Sequence, residues 1–305
     1  MTEEPSVLTD PPEKRSGSVF FPGEIIGPCV LQRVLRIRKM REVWLAFDRE
    51  RQCHAVLKFL SGFHPRLEIL RELACFLADP ACPQLIRVLD IRPVNGWLAI
   101  ELEYAAGGSL AARLKTDKRL PLDQSVFVMR EILAALAELH RHGIVHRDLK
   151  PGNVWITDLG EIRVGDLGIA RLKTFREPGP AVFGSSGAMS PEQTVDTTKA
   201  DHRSDFYSLA SMMFELLTGK KRFPRGTLVE TARLIQKAKP EEMRPSLQDF
   251  APPGLVRLLM WMAAQNRAER PPDAKTILDE LDRLRLPCAR SMQGETAEEQ
   301  LPPQG

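Results

Sequence analysis

The 305-residue chain predicts an α+β fold in two lobes. A small antiparallel β lobe with one helix covers 23–104, and a larger, mainly helical lobe covers 105–286. Two patterns predict this. From about residue 28 to 104 the apolar residues alternate or fall in short blocks between turn formers, and from about 109 they recur three and four apart. The length is ample for one large or two ordinary domains with a sizeable core. The acidic, Pro-rich start over 1–22 and the end over 287–305 show little periodic hydrophobicity and read as disordered tails.

In chain order, strands are expected at Val30-Leu31, Val34 to Ile37, Val43 to Ala46, Ala55 to Leu57, Val88-Leu89 and Trp97 to Ile100. Arg49 to Gln52 and Pro93 to Gly96 are the connections between them. Pro65 to Ala78 interrupts the strands with Leu67, Leu70, Leu73 and Leu77 on one helical face. In the second lobe Asp123 reads as the N-cap of a helix that buries Val126, Met129, Leu133 and Leu136 and stops at Gly143. Ser204 to Thr218 is apolar enough for the centre of a domain and ends at Gly219, and Asp273 caps a last helix with Ile277, Leu281 and Leu284.

A formal net charge of +3, from 43 basic and 40 acidic side chains, gives no global pull toward nucleic acid or a membrane surface. No apolar run approaches the ~20 residues that span a bilayer, and the start lacks the basic-then-apolar pattern of a signal peptide. Five scattered cysteines form no CxxC pair and read as ordinary thiols of a reducing compartment. A soluble cytoplasmic protein is the expectation.

The most informative stretch is 146–168, HRDLKPGNVWITDLGEIRVGDLG. Transfer of a phosphoryl group needs an acceptor that orients the attacking hydroxyl, a cation against the developing charge, and oxygen ligands for Mg²⁺. Asp148, Lys150, Asn153 and Asp166 supply all three within a short span. Single Asp, Asn or Gly residues are common in turns, but the joint match is long. The stretch resembles the catalytic loop and metal-binding DFG motif of eukaryotic-type (Hanks-type) serine/threonine protein kinases, most of all bacterial members.

That resemblance covers about 28 to 285 and implies ATP and Mg²⁺ as cofactors and a protein bearing Ser or Thr as substrate. It implies that Asp148 is the catalytic base, Lys150 the γ-phosphate stabiliser, and Asn153 and Asp166 the metal ligands. Lys58 of AVLKFL would hold the α- and β-phosphates, with Glu72, favoured over Glu68, as its acidic partner. The nucleotide site would be lined by Leu35, Val43, Val56 and Leu102, with the backbone of Glu103 and Ala105 at the adenine edge. Glu192 of the SPE segment would pair with Arg270, and Asp205 would brace the catalytic loop. Arg147 before the catalytic Asp implies an activation-loop phosphate, at Thr174 first, with Ser185 and Ser186 as alternatives.

The chain departs from the family at the glycine-rich loop, where LRIRKMREV places Arg36, Arg38 and Arg41 at the three glycine positions. Val56 also replaces the usual Ala above the adenine. Strand 33–41 then reads as a solvated basic edge, a phosphate contact, or the site of an anionic partner. Two functions follow. An active kinase would transfer the γ-phosphoryl of MgATP to a protein hydroxyl, and a pseudokinase would act as a binding or scaffold module with weak or no nucleotide binding. Retention of all the reactive polar residues favours the first.

Overall fold

Alternation of apolar and polar residues builds the sheet that the sequence predicts, and turn chemistry sets its hairpins. The computed structural model describes residues 18–38, 40–62, 82–166, 171–172, 186–223 and 226–293, with backbone alone at 171–172 and 186. The chain divides into two units, one from residues up to 62 with 87–104, the other from 82–86 with 105 onward.

The smaller unit is a six-stranded antiparallel sheet of order β1-β2-β3-β4-β6-β5. Its strands are β1 (Ile25–Ile26), β2 (Cys29–Arg38), β3 (Arg41–Asp48), β4 (Cys53–Ser61), β5 (Val88–Val94) and β6 (Trp97–Glu103). Asp48 ends β3 and forms the next turn, because its Oδ1 accepts the N–H groups of Glu50 (2.8 Å) and Arg51 (3.1 Å). Between β5 and β6 the turn narrows to Asn95-Gly96, both at positive φ (47° and 80°), a two-residue hairpin suited to this pair. Register shifts in β2 leave Leu35 in a bulge, 39% exposed, so it does not share the buried face with Ile37 as simple alternation predicts.

One face of the sheet packs Leu31, Trp44, Ala46, Leu57, Phe59 and Ala99 into a core that Phe20 closes. The reading of 1–22 as a tail therefore fails for residues 18–22. Phe20 is 2% exposed and stacks on Phe59 at 3.9 Å. Buried Glu42 holds the segment down, accepting from Ser18 Oγ (2.7 Å), the Val19 N–H (2.7 Å) and Trp44 Nε1 (3.0 Å). Phe20→Ala should lower stability by about 3–5 kcal/mol, as emptied aromatic core sites do. Denaturant unfolding of wild-type and variant chains checks this.

In the larger unit α1 (Leu110–Asp117) and α2 (Leu122–Arg141) lead into β7 (Ile144–Val145) and the loop toward β8 (Val154–Ile156) and β9 (Ile162–Val164). Helix α2 starts one residue before Asp123, which sits in its first turn rather than capping it. Gly107 is required for packing: a Cβ there would lie 2.8 Å from the carbonyls of Ile156 and Thr157. The backbone of β10 (Arg171–Leu172) pairs with β7. Then come α3 (Pro191–Val195), α4 (His202–Thr218), α5 (Leu228–Lys237), α6 (Arg244–Leu247), α7 (Pro253–Met262) and α8 (Ala274–Leu284). The middle of the unit is α4, buried along nearly its whole length and closed by Gly219 at φ 71°. Asp273 caps α8 through Thr276 N, as its position predicts.

Residues 287–293 also differ from the expected tail. Met292 is 1% exposed and its N–H donates to the Gly160 carbonyl at 2.8 Å, while Ala289 N–H reaches the Asp123 carbonyl at 3.1 Å. The helix expected over Pro65 to Ala78, with Glu68 and Glu72, lies outside the described residues, as do Thr174 and Ser185. No described helix is long and apolar enough to cross a membrane.

Candidate active site

The loop from His146 to Asn153 is anchored by apolar residues that alternate with its polar ones. Leu149 is fully buried, Pro151 is buried, and the short 3₁₀ turn Pro151–Asn153 carries the chain into β8. Between these anchors the polar side chains converge on Asp148. Lys150 Nζ lies 2.6 Å from Asp148 Oδ2, and Asn153 Nδ2 donates to the Asp148 carbonyl (2.8 Å) and to Oδ2 (3.0 Å). Asp148 retains 13% of its side-chain exposure, so an incoming hydroxyl can reach it.

The backbone of the loop is held from below by Asp205, fully buried near the start of α4. Its carboxylate accepts the N–H groups of His146 (3.0 Å) and Arg147 (2.8 Å) and lies 2.8 Å from His140 Nε2. Burial pushes this carboxyl up, but the hydrogen bond from His140 and the Arg147 N–H outweigh it and hold the group below the usual carboxylate range. Arg147 is thereby fixed at φ 65°, a left-handed conformation that a non-glycine residue keeps only when its surroundings impose it. Its carbonyl accepts from Gln193 Nε2 (2.8 Å) and its guanidinium, 1% exposed as a residue, donates to the Thr197 carbonyl (3.2 Å). The arginine that the resemblance assigns to an activation-loop phosphate is buried, while Thr174 and Ser185 lie outside the described residues.

The second half of the site is tied to the first through His146. Its Nε2 lies 3.2 Å from the Gly165 carbonyl and its Nδ1 accepts from Asp148 N–H (3.3 Å), a pairing that requires the proton on Nε2. Gly165 N–H in turn donates to the Asn153 carbonyl at 2.9 Å. Asp166 follows directly, at φ 55°. Asn153 gives its amide nitrogen to Asp148, which leaves its side-chain carbonyl for a cation. An amide carbonyl and a carboxylate such as that of Asp166 are oxygen donors of the kind Mg²⁺ takes.

Beyond the loop, Glu192 and Arg270 form a two-pronged pair, 2.7 Å and 2.9 Å, completed by Ser204 Oγ on Glu192 Oε1 at 2.5 Å. Burial raises the Glu192 carboxyl, but Arg270 and Ser204 outweigh it and hold it low. The Arg270 guanidinium also lies over the Tyr207 ring, 5.0 Å from its centroid.

In the smaller unit, cross-strand pairing places four of the expected nucleotide residues on one sheet face. Lys58 pairs with Val43 on one side and Ile100 on the other, and Val56 pairs with Leu45 and Leu102. This is the face opposite Leu57 and Phe59. Leu35 stands apart in its bulge. Glu103 ends β6 with its N–H on the Arg87 carbonyl (3.0 Å), and Ala105, 6% exposed, accepts from Gly108 N–H (3.3 Å). Glu72 lies outside the described residues.

Sequence reasoning missed Gln193, His140 and Glu42. Gln193 has a visible signal, the residue after SPE, but the other two gain their roles only from partners far along the chain.

A model of the protein kinase domain family matches residues 39–280. The chain belongs to that family. Three of its curated relatives are bacterial. A probable serine/threonine-protein kinase of Clostridium perfringens is 27% identical over 290 residues, 90% of this chain and 42% of that protein. The serine/threonine-protein kinase PknD of Mycobacterium tuberculosis is 32% identical over 259 residues, 81% and 38% of the two chains. The serine/threonine-protein kinase pkn3 of Myxococcus xanthus is 32% identical over 212 residues, 65% and 38%. This kinase domain therefore spans about two fifths of the length of these relatives. The matched region begins at residue 39, after Arg36 and Arg38.

Proposed function

We propose that the chain is an active protein serine/threonine kinase that transfers the γ-phosphoryl group of MgATP to a protein hydroxyl. The supporting observation is the convergence of Lys150 and Asn153 on Asp148 over a backbone held by Asp205. Asp148 orients the substrate hydroxyl for in-line attack and accepts its proton, and Lys150 offsets charge on the transferring group. Lys58 holds the α- and β-phosphates from the β4 face, and Val43, Val56 and Leu102 form the apolar ceiling over the base. Asn153 and Asp166 hold Mg²⁺, which when bound neutralises charge on the β- and γ-phosphates. Glu72 is the acidic partner of Lys58 in this reading. Leu35 flanks the base, with the backbone of Glu103 and Ala105 at its edge.

A scaffold without transfer leaves this set of costly, mutually satisfied polar groups without a purpose. The deciding experiment is MgATP binding and autophosphorylation of wild-type chain beside Lys58→Met and Asp166→Ala. Transfer by wild type and at least a hundredfold less in both variants is expected, since Lys58→Met removes a cation facing the phosphates and Asp166→Ala removes a carboxylate ligand of the Mg²⁺. Folded wild-type protein that binds no nucleotide at millimolar MgATP overturns the proposal in favour of a pseudokinase.

A further inference from the structure

We propose that Arg36 and Arg38 grip the nucleotide's phosphates with their side chains, replacing the backbone contacts that glycines would make. The inference rests on the nucleotide reading above but adds residues outside the matched family region. In β2 the register pairs Arg36 with Val43, and β3 pairs Val43 with Lys58. Directly paired residues point to the same side of a sheet. Arg36, Val43 and Lys58 therefore form one row on one face, with Arg36 and Lys58 about 10 Å apart, two strand spacings. Long side chains can converge over such a gap, and the residue between them, Val43, is small.

Three of the cations on this face have no ion-pair partner among the described residues. Arg33 pairs with Leu45 and Arg38 with Arg41, which sets all four arginines on the Lys58 side. Arg33, Arg36 and Arg38 are exposed and make no ion pair with any described residue. Arg38 and Arg41 are direct cross-strand partners, an arrangement of like charges that weakens a hairpin. A solvated edge that only needed protection from stray pairing would be served by a single charge. Five cations on one face, one of them the family's phosphate lysine, match a polyphosphate, and guanidinium groups bind phosphate through paired N–H donors.

Binding of MgATP, ADP and adenosine, measured by calorimetry at low and high salt, tests this on wild-type, Arg36→Gln, Arg38→Gln and Arg36→Lys chains. Both arginines are exposed, so their substitution should leave the fold intact, and thermal melting verifies it. Wild type should prefer MgATP to adenosine, with the preference falling as salt rises. Arg36→Gln should cut that preference about tenfold or more, Arg38→Gln should cut it less, and Arg36→Lys should restore most of it. An unchanged preference in folded Gln variants, or none in wild type, overturns the inference. Transfer measured in parallel separates it from the proposed activity. Wild type that binds through the phosphates yet transfers nothing removes the activity and leaves the arginines. Wild type that transfers with the same KM for MgATP in Arg36→Gln does the reverse.

Discussion

Asp148→Asn should lower the rate of phosphoryl transfer by about 10²–10⁴-fold, the usual contribution of a positioned general base. The substitution keeps the shape of the side chain and an oxygen for Asn153 Nδ2, which lies 3.0 Å from Oδ2 in the wild type. It removes the negative charge 2.6 Å from Lys150 Nζ and the ability to take a proton. Nucleotide affinity should stay within a few-fold of wild type, because in the proposed reaction Asp148 acts on the hydroxyl rather than on the nucleotide. Single-turnover transfer and equilibrium binding, run on the same preparation, separate the two. If binding collapses along with transfer, Asp148 holds nucleotide and the role assigned to it is wrong.

Asp205→Ala should cost on the order of 3–5 kcal/mol of stability and abolish transfer. Three donors lose one acceptor: the N–H groups of His146 and Arg147 and the His140 ring. An orphaned buried donor costs about 1–3 kcal/mol, and a broken buried charge pair falls in the same total range. For a domain of this size the loss corresponds to a fall of about 10 °C in Tm. Asp205→Asn, which keeps an oxygen, should lie between the two in both stability and rate. The wild-type carboxyl also links folding to pH. Its folded pKa is lowered, so its contribution is complete above the unfolded value of about 3.9 and is lost as pH falls through the folded value. Denaturant midpoints taken between neutral pH and about pH 3 should therefore fall more steeply for wild type than for Asp205→Asn. Parallel slopes would mean that the carboxylate is not the acid-sensitive link.

Much of this was legible in the residues themselves. The hairpins announce themselves through alternation and through Asn95-Gly96, and the catalytic loop through Asp148, Lys150 and Asn153 lying close together in sequence. The pairing of Glu192 with Arg270 was also foreseeable, because each belongs to a recognisable segment. What escaped depends on partners that no local pattern reveals. Phe20 reads as part of a polar tail until Glu42, more than twenty residues away, fixes Ser18 and Val19. Met292 is one apolar residue among polar ones, and only the turn at Gly160 gives it a place. Leu35 follows the alternation of its neighbours in sequence, but a bulge adds a residue to the strand and turns it out of the row. His140 looks like any polar residue near a helix end, and its contact with Asp205 spans 65 positions.

The edge position of β2 has a bearing on how such a chain can change over generations. Past Leu31, its pairing among the described residues is to β3 alone. A substitution on that outer strand disturbs one neighbour, whereas a change in the catalytic loop meets Asp205, Gln193 and Gly165 at once. A change of side chain at this margin therefore costs the contacts of one strand, whereas a change beside Asp148 unsettles several buried partners together.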